Sequence, residues 1–308
     1  MITTVTLNPA IDRTVIVDKL NNGAVNRVKS VREDIGGKGI NVTKVLNSLG
    51  STSTAIGFMG KKNYEETNAL FKEVNIETAF KMVDAKTRLN IKVVESSNNE
   101  TTDINESGFE VSNKEIEEVI DLIKEFAIKS EFVVLSGSIP KGMDENTYYE
   151  IISQINDKTK TVLDADGALL LKGLKAKPYL IKPNIHELEN ALKVSLESHE
   201  SIVKASKQLI EDFGITYVLV SMGGDGSILV GKEEAYFAES LKVEVKGTVG
   251  AGDSMLAGFL HGLIENENAL AYATACGALA VSLEGTQTFS KKDVISLLEK
   301  VKINLLKF

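Results

Sequence analysis

The sequence predicts an α/β fold with a mostly parallel sheet and helices on both faces. The first observation is the alternation in the second half, where the strands predicted at 131–135, 161–163, 179–181 and 217–220 are separated by helices. Strands that are joined through helices run parallel, and the helices then cover both faces of the sheet. The second observation is that polar or glycine-rich breaks follow these strands. They can therefore share the sheet edge at which such folds bind ligands.

The composition is that of a globular protein with a sizeable core. The chain has 308 residues, 43% of them hydrophobic, and no linker or repeat is visible, so we expect one domain over 1–308. The net charge of −8, from 35 basic and 43 acidic residues, argues against nucleic acid as a partner. A single cysteine, Cys276, suits a reducing compartment. Without a signal peptide or an apolar run of about 20 residues, we expect a soluble, cytoplasmic protein with no membrane partner.

The first half carries strands that do not follow this alternation. Residues 2–7 predict a buried first strand. Further strand-like segments are 10–18, 23–32, 87–94 and 101–104. The last three are polar or alternate in hydrophobicity, which suits a half-exposed sheet. We therefore expect the stretches of roughly 12–33 and 87–105 to form a small β flap, or lid.

Helices are indicated by apolar positions at helical spacing and by their end signals. One follows the glycines at 36–39 and ends before Gly50, and another begins at the capping box Ser112-Asn113-Lys114-Glu115. The other predicted helices are 63–75, 145–155, 168–171, 186–192, 201–213, 252–264, 269–284 and 291–302. Two short strands, 227–230 and 235–237, precede the last three helices.

A glycine-rich turn before the helix at 252–264 is the first candidate for chemistry. Gly250, Ala251 and Gly252 are followed there by Asp253. Small residues leave the first N–H groups of a helix uncovered, and these donors bind anions together with the helix dipole. A carboxylate beside a bound phosphate can take the proton of an attacking hydroxyl, as phosphoryl transfer requires. On this stretch alone, a turn capped by Asp253 is an equally good interpretation.

A second glycine-rich helix start contains Gly37, Lys38 and Asn41. Its glycines allow close approach of a ligand to the backbone, and the lysine and the amide add polar groups. The spacing is not that of a P-loop. Asp12, after the first strand, is a candidate for the same cleft, although a turn carboxylate is the commoner role for such a position.

Polar residues also recur on the strand at 87–94. Arg88, Asn90 and Lys92 are two residues apart, so they project from one face. Such a face suits a phosphorylated or hydroxylated ligand, although a solvated sheet face is the commoner case.

Asn184 and Glu187 stand three residues apart at a helix start. Their oxygens could hold a hydrated Mg²⁺ ion, and a capping box explains them equally well. The three histidines, His186, His199 and His261, form no zinc pattern with the single cysteine. The segment Ser136-Gly137-Ser138 also lacks the G-x-S-x-G nucleophile elbow.

Three motifs in order resemble the PfkB, or ribokinase-like, family of carbohydrate kinases. They are Gly36-Gly37-Lys38-Gly39-Ile40-Asn41-Val42, the N-x-x-E motif in Lys182-Pro183-Asn184-Ile185-His186-Glu187, and Gly247-Thr248-Val249-Gly250-Ala251-Gly252-Asp253. The resemblance covers essentially the whole chain and implies the ribokinase-like fold with its lid. One departure is Gly247, where many members carry aspartate. The segments 6–12, 25–27, 87–92, 101–105 and 136–142 point to the members that phosphorylate sugar phosphates.

The resemblance implies a role for each motif. Asp253 would take the proton of the sugar's 6-hydroxyl, and Gly250, Ala251 and Gly252 would form the anion hole. The residues implied for the sugar hydroxyls are Asp12, Gly37, Lys38 and Asn41, and those for the phosphate already on the substrate are Arg27, Arg88, Asn90 and Lys141. The residues implied for ATP are Lys182, Asn184, Ser221, Gly223, Gly224 and Gly226, with the apolar helix at 275–280 beside the nucleotide. Asn184 and Glu187 would organise Mg²⁺ through water.

The resemblance therefore implies ATP-dependent phosphorylation of fructose 1-phosphate by a homodimer that pairs through the lid. Tagatose 6-phosphate is the alternative acceptor, because kinases for it share several of the same segments, and another sugar-phosphate kinase of the same family is a further alternative. A catalytically silent sugar or nucleotide sensor on the same fold is a second alternative, which the intact Gly250-Ala251-Gly252-Asp253 motif disfavours. A dinucleotide oxidoreductase would need G-x-G-x-x-G after the first strand, where Asn8-Pro9-Ala10 stands.

Overall fold

The computed structural model describes residues 1–98 and 100–307. The strands of this part of the chain are β1 (Ile2–Thr6), β2 (Ala10–Val17), β3 (Val28–Gly36), β4 (Ser53–Gly60), β5 (Glu77–Val83), β6 (Arg88–Glu95), β7 (Thr101–Asn105), β8 (Phe132–Ser136), β9 (Lys160–Asp164), β10 (Leu180–Ile181), β11 (Tyr217–Ser221), β12 (Ser227–Val230), β13 (Ala235–Ala238) and β14 (Ile303–Leu306). The α-helices are α1 (Lys38–Ser48), α2 (Tyr64–Val74), α3 (Asn113–Ala127), α4 (Thr147–Ile155), α5 (Gly167–Gly173), α6 (Ile185–Leu192), α7 (His199–Phe213), α8 (Ala251–Ile264), α9 (Ala269–Val281) and α10 (Lys291–Leu298). No helix of this part of the chain is long and apolar enough to span a bilayer.

A ten-stranded sheet in the order β14-β13-β12-β11-β10-β9-β8-β1-β4-β5 forms the centre of the molecule. The strands from β11 to β5 in this order pair in parallel. The strands β12, β13 and β14 extend one edge by antiparallel pairing. The predicted fold class is therefore confirmed.

Helices cover both faces of this sheet and create two large cores, and a smaller cluster packs Ile40 of α1 and Phe71 of α2 against β4. In β8, Val133 and Leu135 lie in one core, whereas Phe132 and Val134 lie in the other, as the two-residue period of a strand requires. Helices α3 to α7 contribute to the first core, and α1, α8, α9 and α10 contribute to the second. Burial on both faces explains why these strands read as continuous apolar runs.

A four-stranded sheet in the order β3-β2-β6-β7 occupies the stretches predicted for the lid. The central pair β2 and β6 is parallel, and both outer pairs are antiparallel. The lid strands begin at the edge of the large sheet, since Ala10 of β2 pairs with Gly36 of β3 just before α1 begins. The lid thus stands directly beside the first glycine-rich helix start.

Three strands were not predicted from the sequence: β4, β5 and β14. The strand β4 is entirely buried, but Gly57 weakens its strand pattern. A β-carbon at Gly57 would lie 2.0 Å from the carbonyl oxygen of Thr6 on the neighbouring strand, so close pairing requires a glycine there. The prediction that the last helix runs to Lys302 was wrong, because α10 ends at Leu298 and the chain then pairs with β13.

Candidate active site

A cavity of about 560 Å³ lies between the carboxyl edge of the large sheet and the lid. The lid contributes Asp12 and Asn90, and the ends of β8 and β11 contribute Ser136 and Ser221. Most of the residues that the sequence singled out meet here. They are Asp12, Gly37, Lys38, Asn41, Arg88, Asn90, Lys182, Asn184, Glu187, Ser221, Gly250, Gly252 and Asp253.

The glycine-rich turn before α8 presents free backbone donors to this cavity. Gly250 adopts a left-handed conformation with φ of 74°, which a glycine adopts without strain, and α8 begins at the next residue. The amide of Ala251 donates to the carbonyl oxygen of Thr248 at 3.3 Å. The amides of Gly252 and Asp253 have no such partner within the described chain. They point along the helix start as an anion site requires.

Asp253 is buried at the base of the cavity, with 7% of its surface exposed. The Nδ2 of Asn41 donates to its Oδ2 at 2.9 Å. Burial, reinforced by the nearby Asp164 carboxylate, raises the pKa of Asp253 to about 6. A carboxylate with this pKa is ionised at neutral pH and is more basic than an ordinary aspartate, as a general base should be.

Two lysines converge on a buried carboxylate beside the glycine turn. The Nζ atoms of Lys38 and Lys182 lie 3.0 Å and 3.4 Å from Oδ1 of Asp164, which is fully buried at the end of β9. Burial alone would raise the pKa of Asp164, but the two ammonium groups outweigh it and lower the pKa. Burial likewise opposes the charge of Lys38, but Asp164 and Asp253 raise its pKa above the usual range. Lys38 therefore stays charged, and a pair of lysines at one cavity wall suits a polyphosphate.

On the lid side of the cavity, Asp12 provides a carboxylate that can accept hydrogen bonds from hydroxyl groups. Asp12 and Asn90 are register partners on β2 and β6, and Asn90 Nδ2 donates to Asp12 Oδ1 at 2.9 Å. Gly36 leaves room for this carboxylate, because a β-carbon there would lie 2.0 Å from Asp12 Oδ2. The Oδ1 of Asn90 and the Oγ of Ser136 are buried without a hydrogen-bond partner in the described chain. Buried polar atoms of this kind suit a polar ligand.

Arg88 supplies positive charge at the base of the lid, where it is the register partner of Ala10. Its guanidinium donates to the carbonyl oxygens of Asn8 and Glu106, both at 3.0 Å, and to Ser138 Oγ at 3.5 Å. These contacts hold the guanidinium in place. Arg88 and Asn90 both line the cavity, whereas Lys92, the third residue predicted for the same strand face, does not line it and pairs with Asp103 at 3.5 Å.

Asn184 and Glu187 form a complete capping box at the start of α6. The Glu187 amide donates to Asn184 Oδ1 at 2.8 Å, and the Asn184 amide donates to Glu187 Oε2 at 2.9 Å. These bonds leave Glu187 Oε1 and the second lone pair of each bonded oxygen. Such donors fit a Mg²⁺ ion that keeps several waters. No cluster of three or more metal-ligating side chains exists among the described residues.

The residues to which the resemblance assigns a role include six that do not line this cavity: Arg27, Lys141, Gly223, Gly224, Gly226 and Ala251. Arg27 is exposed beside Val28, which pairs with Val17 at the outer end of the lid. Val17 is seven residue steps from Ala10 along β2, so Arg27 lies roughly 23 Å along the lid. Lys141 is exposed and follows β8 in the chain. Gly223, Gly224 and Gly226 belong to the turn after β11.

Asp164 is one of the polar breaks that follow the predicted strands, and the sequence indicates no role for it. Its position at the carboxyl end of β9, beside Lys182 at the end of β10, was the available signal. Lys44 was also missed, although it lies one helical turn after Asn41 on α1. Nothing in the local sequence distinguishes a buried lysine from a solvated one.

The comparisons with known proteins agree with this geometry. The model of the pfkB family carbohydrate kinases matches residues 5–293. The chain belongs to this family and is an ATP-dependent sugar kinase.

Individual relatives narrow the class of sugar kinase to which the chain is similar. The chain is 38% identical to the 1-phosphofructokinase of Bacillus subtilis, over 99% of this chain and 100% of that protein. It is 36% identical to the 1-phosphofructokinase of Haemophilus influenzae, over 99% and 98% of the two chains. A crystal structure of phosphofructokinase-2 from Escherichia coli in complex with substrates and products superposes with a TM-score of 0.91 at 26% identity, covering 97% and 98% of the two chains. These relatives support a sugar-phosphate kinase.

Proposed function

We propose that this protein transfers the γ-phosphoryl group of ATP to the 6-hydroxyl of D-fructose 1-phosphate, giving fructose 1,6-bisphosphate and ADP. The observation that carries the proposal is the position of Asp253. A buried carboxylate with a raised pKa stands at a helix start whose backbone donors face the same cavity as two lysines. This combination supplies a base, an anion hole and countercharge for a phosphoryl group within one site.

In the proposed reaction, Asp253 accepts the proton of the 6-hydroxyl as its oxygen attacks the γ-phosphorus. The bond between that phosphorus and the β,γ-bridging oxygen breaks, and ADP leaves. The free amides of Gly252 and Asp253, at the turn formed by Gly250 to Gly252, stabilise the equatorial oxygens of the transferring group. A β-carbon at Gly252 would lie 3.1 Å from Lys182 Nζ, so the missing side chain lets this ammonium group reach the transferring phosphate.

The sugar would lie between Asp253 and the lid. Asp12, Asn90 and Asn41 offer hydrogen bonds to its hydroxyls, and Gly37 and Lys38 close the side towards α1. Arg88, held against Asn8 and Ser138, would meet the phosphate already on the substrate at the opposite end from Asp253. The names of the relatives from Bacillus subtilis and Haemophilus influenzae favour fructose 1-phosphate over tagatose 6-phosphate.

The nucleotide would enter from the β11 side. Lys182, Asn184 and Ser221 line that part of the cavity, and the turn at 223–226 with the helix face at 275–280 continues beyond it. Mg²⁺ would lie near Asn184 and Glu187 and neutralise phosphate charge as the leaving group forms.

We also propose that two copies pair through the lid. Its outer surface exposes Val25 (86%), Val28 (51%), Val31 (54%) and Ile104 (58%). Exposed apolar residues gathered on one small sheet and on the loop that precedes β3 mark an interaction surface. Sedimentation equilibrium of the wild type and of a Val28→Glu, Val31→Glu variant tests this, since a monomeric wild type would contradict it.

The test of the activity is a coupled ADP assay with fructose 1-phosphate, tagatose 6-phosphate and fructose 6-phosphate. We expect kcat/KM for fructose 1-phosphate to exceed the others by at least about 10-fold, because a site built for one phosphate position misaligns the others. Asp253→Asn should lower kcat roughly 10²- to 10⁴-fold while the fold is kept. A folded Asp253→Asn variant with normal turnover would refute the role of Asp253 as the base. A higher kcat/KM for tagatose 6-phosphate or fructose 6-phosphate than for fructose 1-phosphate would refute the proposed substrate.

A further inference from the structure

The buried residue Lys44 lies one helical turn after Asn41, the residue that donates a hydrogen bond to Asp253. Lys44 on α1 has 3% of its surface exposed. Its Nζ donates to the carbonyl oxygen of Ile35, to Asn41 Oδ1 at 3.3 Å and to Thr286 Oγ1 at 3.2 Å. An ammonium group has three donors, so these partners use all of them. The proposed reaction does not itself require this lysine.

The contact with Asn41 decides which way its amide faces. Asn41 Oδ1 accepts from Lys44, and Asn41 Nδ2 donates to Asp253 Oδ2 at 2.9 Å. In the flipped amide, the NH₂ group would face the ammonium and the oxygen would face the carboxylate. Both contacts would then be repulsive in a buried environment, where such interactions are strong. Lys44 therefore selects the orientation in which Asn41 stabilises the ionised base.

The same ammonium joins three separate parts of the molecule. Ile35 lies on β3 of the lid, Asn41 lies on α1, and Thr286 follows α9. Thr286 also packs behind the anion-hole turn, since a β-carbon at Gly250 would lie 3.3 Å from its Cγ2. One side chain thus sets the relative positions of the lid, the amide of Asn41 and the turn.

The charged groups that face Lys44 come from three elements. Asp12 on β2, Asp34 on β3 and Asp253 on α8 favour its charge, whereas Arg32 on β3 opposes it. Burial lowers the pKa of Lys44 to about 8, with those carboxylates opposing the decrease. The lysine is therefore mostly charged at neutral pH, and its interaction with the Asp253 carboxylate is reciprocal.

We propose that Lys44 is a positioning residue for the transfer, acting through Asn41 to keep Asp253 aligned and ionised. This inference rests on the proposed function of Asp253. Removing the ammonium group has two consequences that a merely structural lysine would not share. The base becomes harder to ionise, and the acidic limb of the kcat–pH profile moves to higher pH.

The test uses Lys44→Met, which keeps length but removes charge and donor, and Lys44→Gln, which keeps a donor but removes charge. We expect kcat at pH 7 to fall roughly 10- to 100-fold in Lys44→Met, with a smaller change in KM for either substrate. The acidic limb should move up by about one pH unit in both variants, because a nearby charge is lost. Raising the pH should therefore recover part of the activity.

The matched control is Thr43→Val on the same helix. Thr43 is fully buried and shares a 2.6 Å hydrogen bond with Thr4, away from Asn41. This variant should lose stability without moving the pH limb. The proposal would be overturned by a folded Lys44→Gln or Lys44→Met variant whose kcat–pH profile keeps the acidic limb of the wild type. It would also be overturned if kcat fell by the same factor at every pH. Asp253→Asn measured in parallel separates the two ideas, since substantial activity there would instead refute the proposed base.

Discussion

Removal of the charge on Asp164 tests the charge arrangement behind the cavity. Asp164 is fully buried, and its Oδ1 lies 3.4 Å from Nζ of Lys182, whose side chain is only 5% exposed. Breaking a buried ion pair by neutralising one partner costs about 3–5 kcal/mol. The contact between Lys38 and Asp164 adds little to this cost, because 36% of the Lys38 side chain is exposed and solvent screens its charge. Asparagine keeps the shape and one acceptor, so we expect Asp164→Asn to lower the free energy of unfolding by about 3 kcal/mol.

The assay is urea unfolding followed by circular dichroism. With an m-value of about 3 kcal/mol/M, a loss of about 3 kcal/mol moves the midpoint down by about 1 M, and a domain with about 5–15 kcal/mol of stability still folds. The folded-state pKa of Asp164 is lowered. Its stabilising contribution is therefore present above the ordinary aspartate pKa of about 4 and is lost as the pH falls through the folded-state pKa. The difference between wild type and variant should accordingly shrink in acid.

A second readout comes from the base. Asp164 is one of the groups that raise the pKa of Asp253, so the acidic limb of the kcat–pH profile should move to lower pH in Asp164→Asn. The control is Asp157→Asn, whose side chain is 76% exposed and pairs with Lys158 at 3.8 Å. Surface changes of this kind stay within about 0.5 kcal/mol. Equal midpoints for Asp164→Asn and the control, with an unchanged pH limb, would refute the reasoning.

Three further predictions concern the same cavity. In the wild type, kcat should fall as the pH drops through about 6, because protonation of Asp253 removes the base; a flat pH–rate profile from 5 to 8 would contradict this. Gly252→Ala should raise the KM for ATP and lower kcat roughly 10-fold, because the added β-carbon lies 3.1 Å from Lys182 Nζ; steady-state kinetics check it. Glu187→Gln can still accept the hydrogen bond of the Asn184 amide, so the unfolding midpoint should hold while the Mg²⁺ concentration for half-maximal activity rises; an unchanged Mg²⁺ titration would argue against a metal role.

Much of the fold could be predicted because parallel strands covered on both faces leave a strong pattern. The predicted strand at 227–230 coincides with β12, and those at 161–163 and 217–220 lie within β9 and β11. Prediction failed where pairing partners decide the structure. Strand β14 at the end of the chain is defined by its antiparallel neighbour β13 and not by its own residues.

The candidate site divides in the same way. The anion turn at Gly250 and the capping box of Asn184 and Glu187 were visible in the sequence, because their geometry involves residues only a few positions apart. The inclusion of Arg27 in the site was not supported within one chain, because strand length places it at the outer end of the lid. Side-chain type alone does not reveal such a distance.

The sequence by itself determined which local features exist: a glycine turn followed by Asp253, a second glycine-rich helix start followed by Asn41, and the capping box of Asn184 and Glu187. These follow from backbone freedom and from hydrogen bonds between neighbours in the chain. The tertiary structure alone decided that Asn41 contacts Asp253, 212 positions away, and that Lys38 meets Asp164, 126 positions away. Strand order brings these groups together, and burial then gives their charges the strength that shifts the pKa of Asp253.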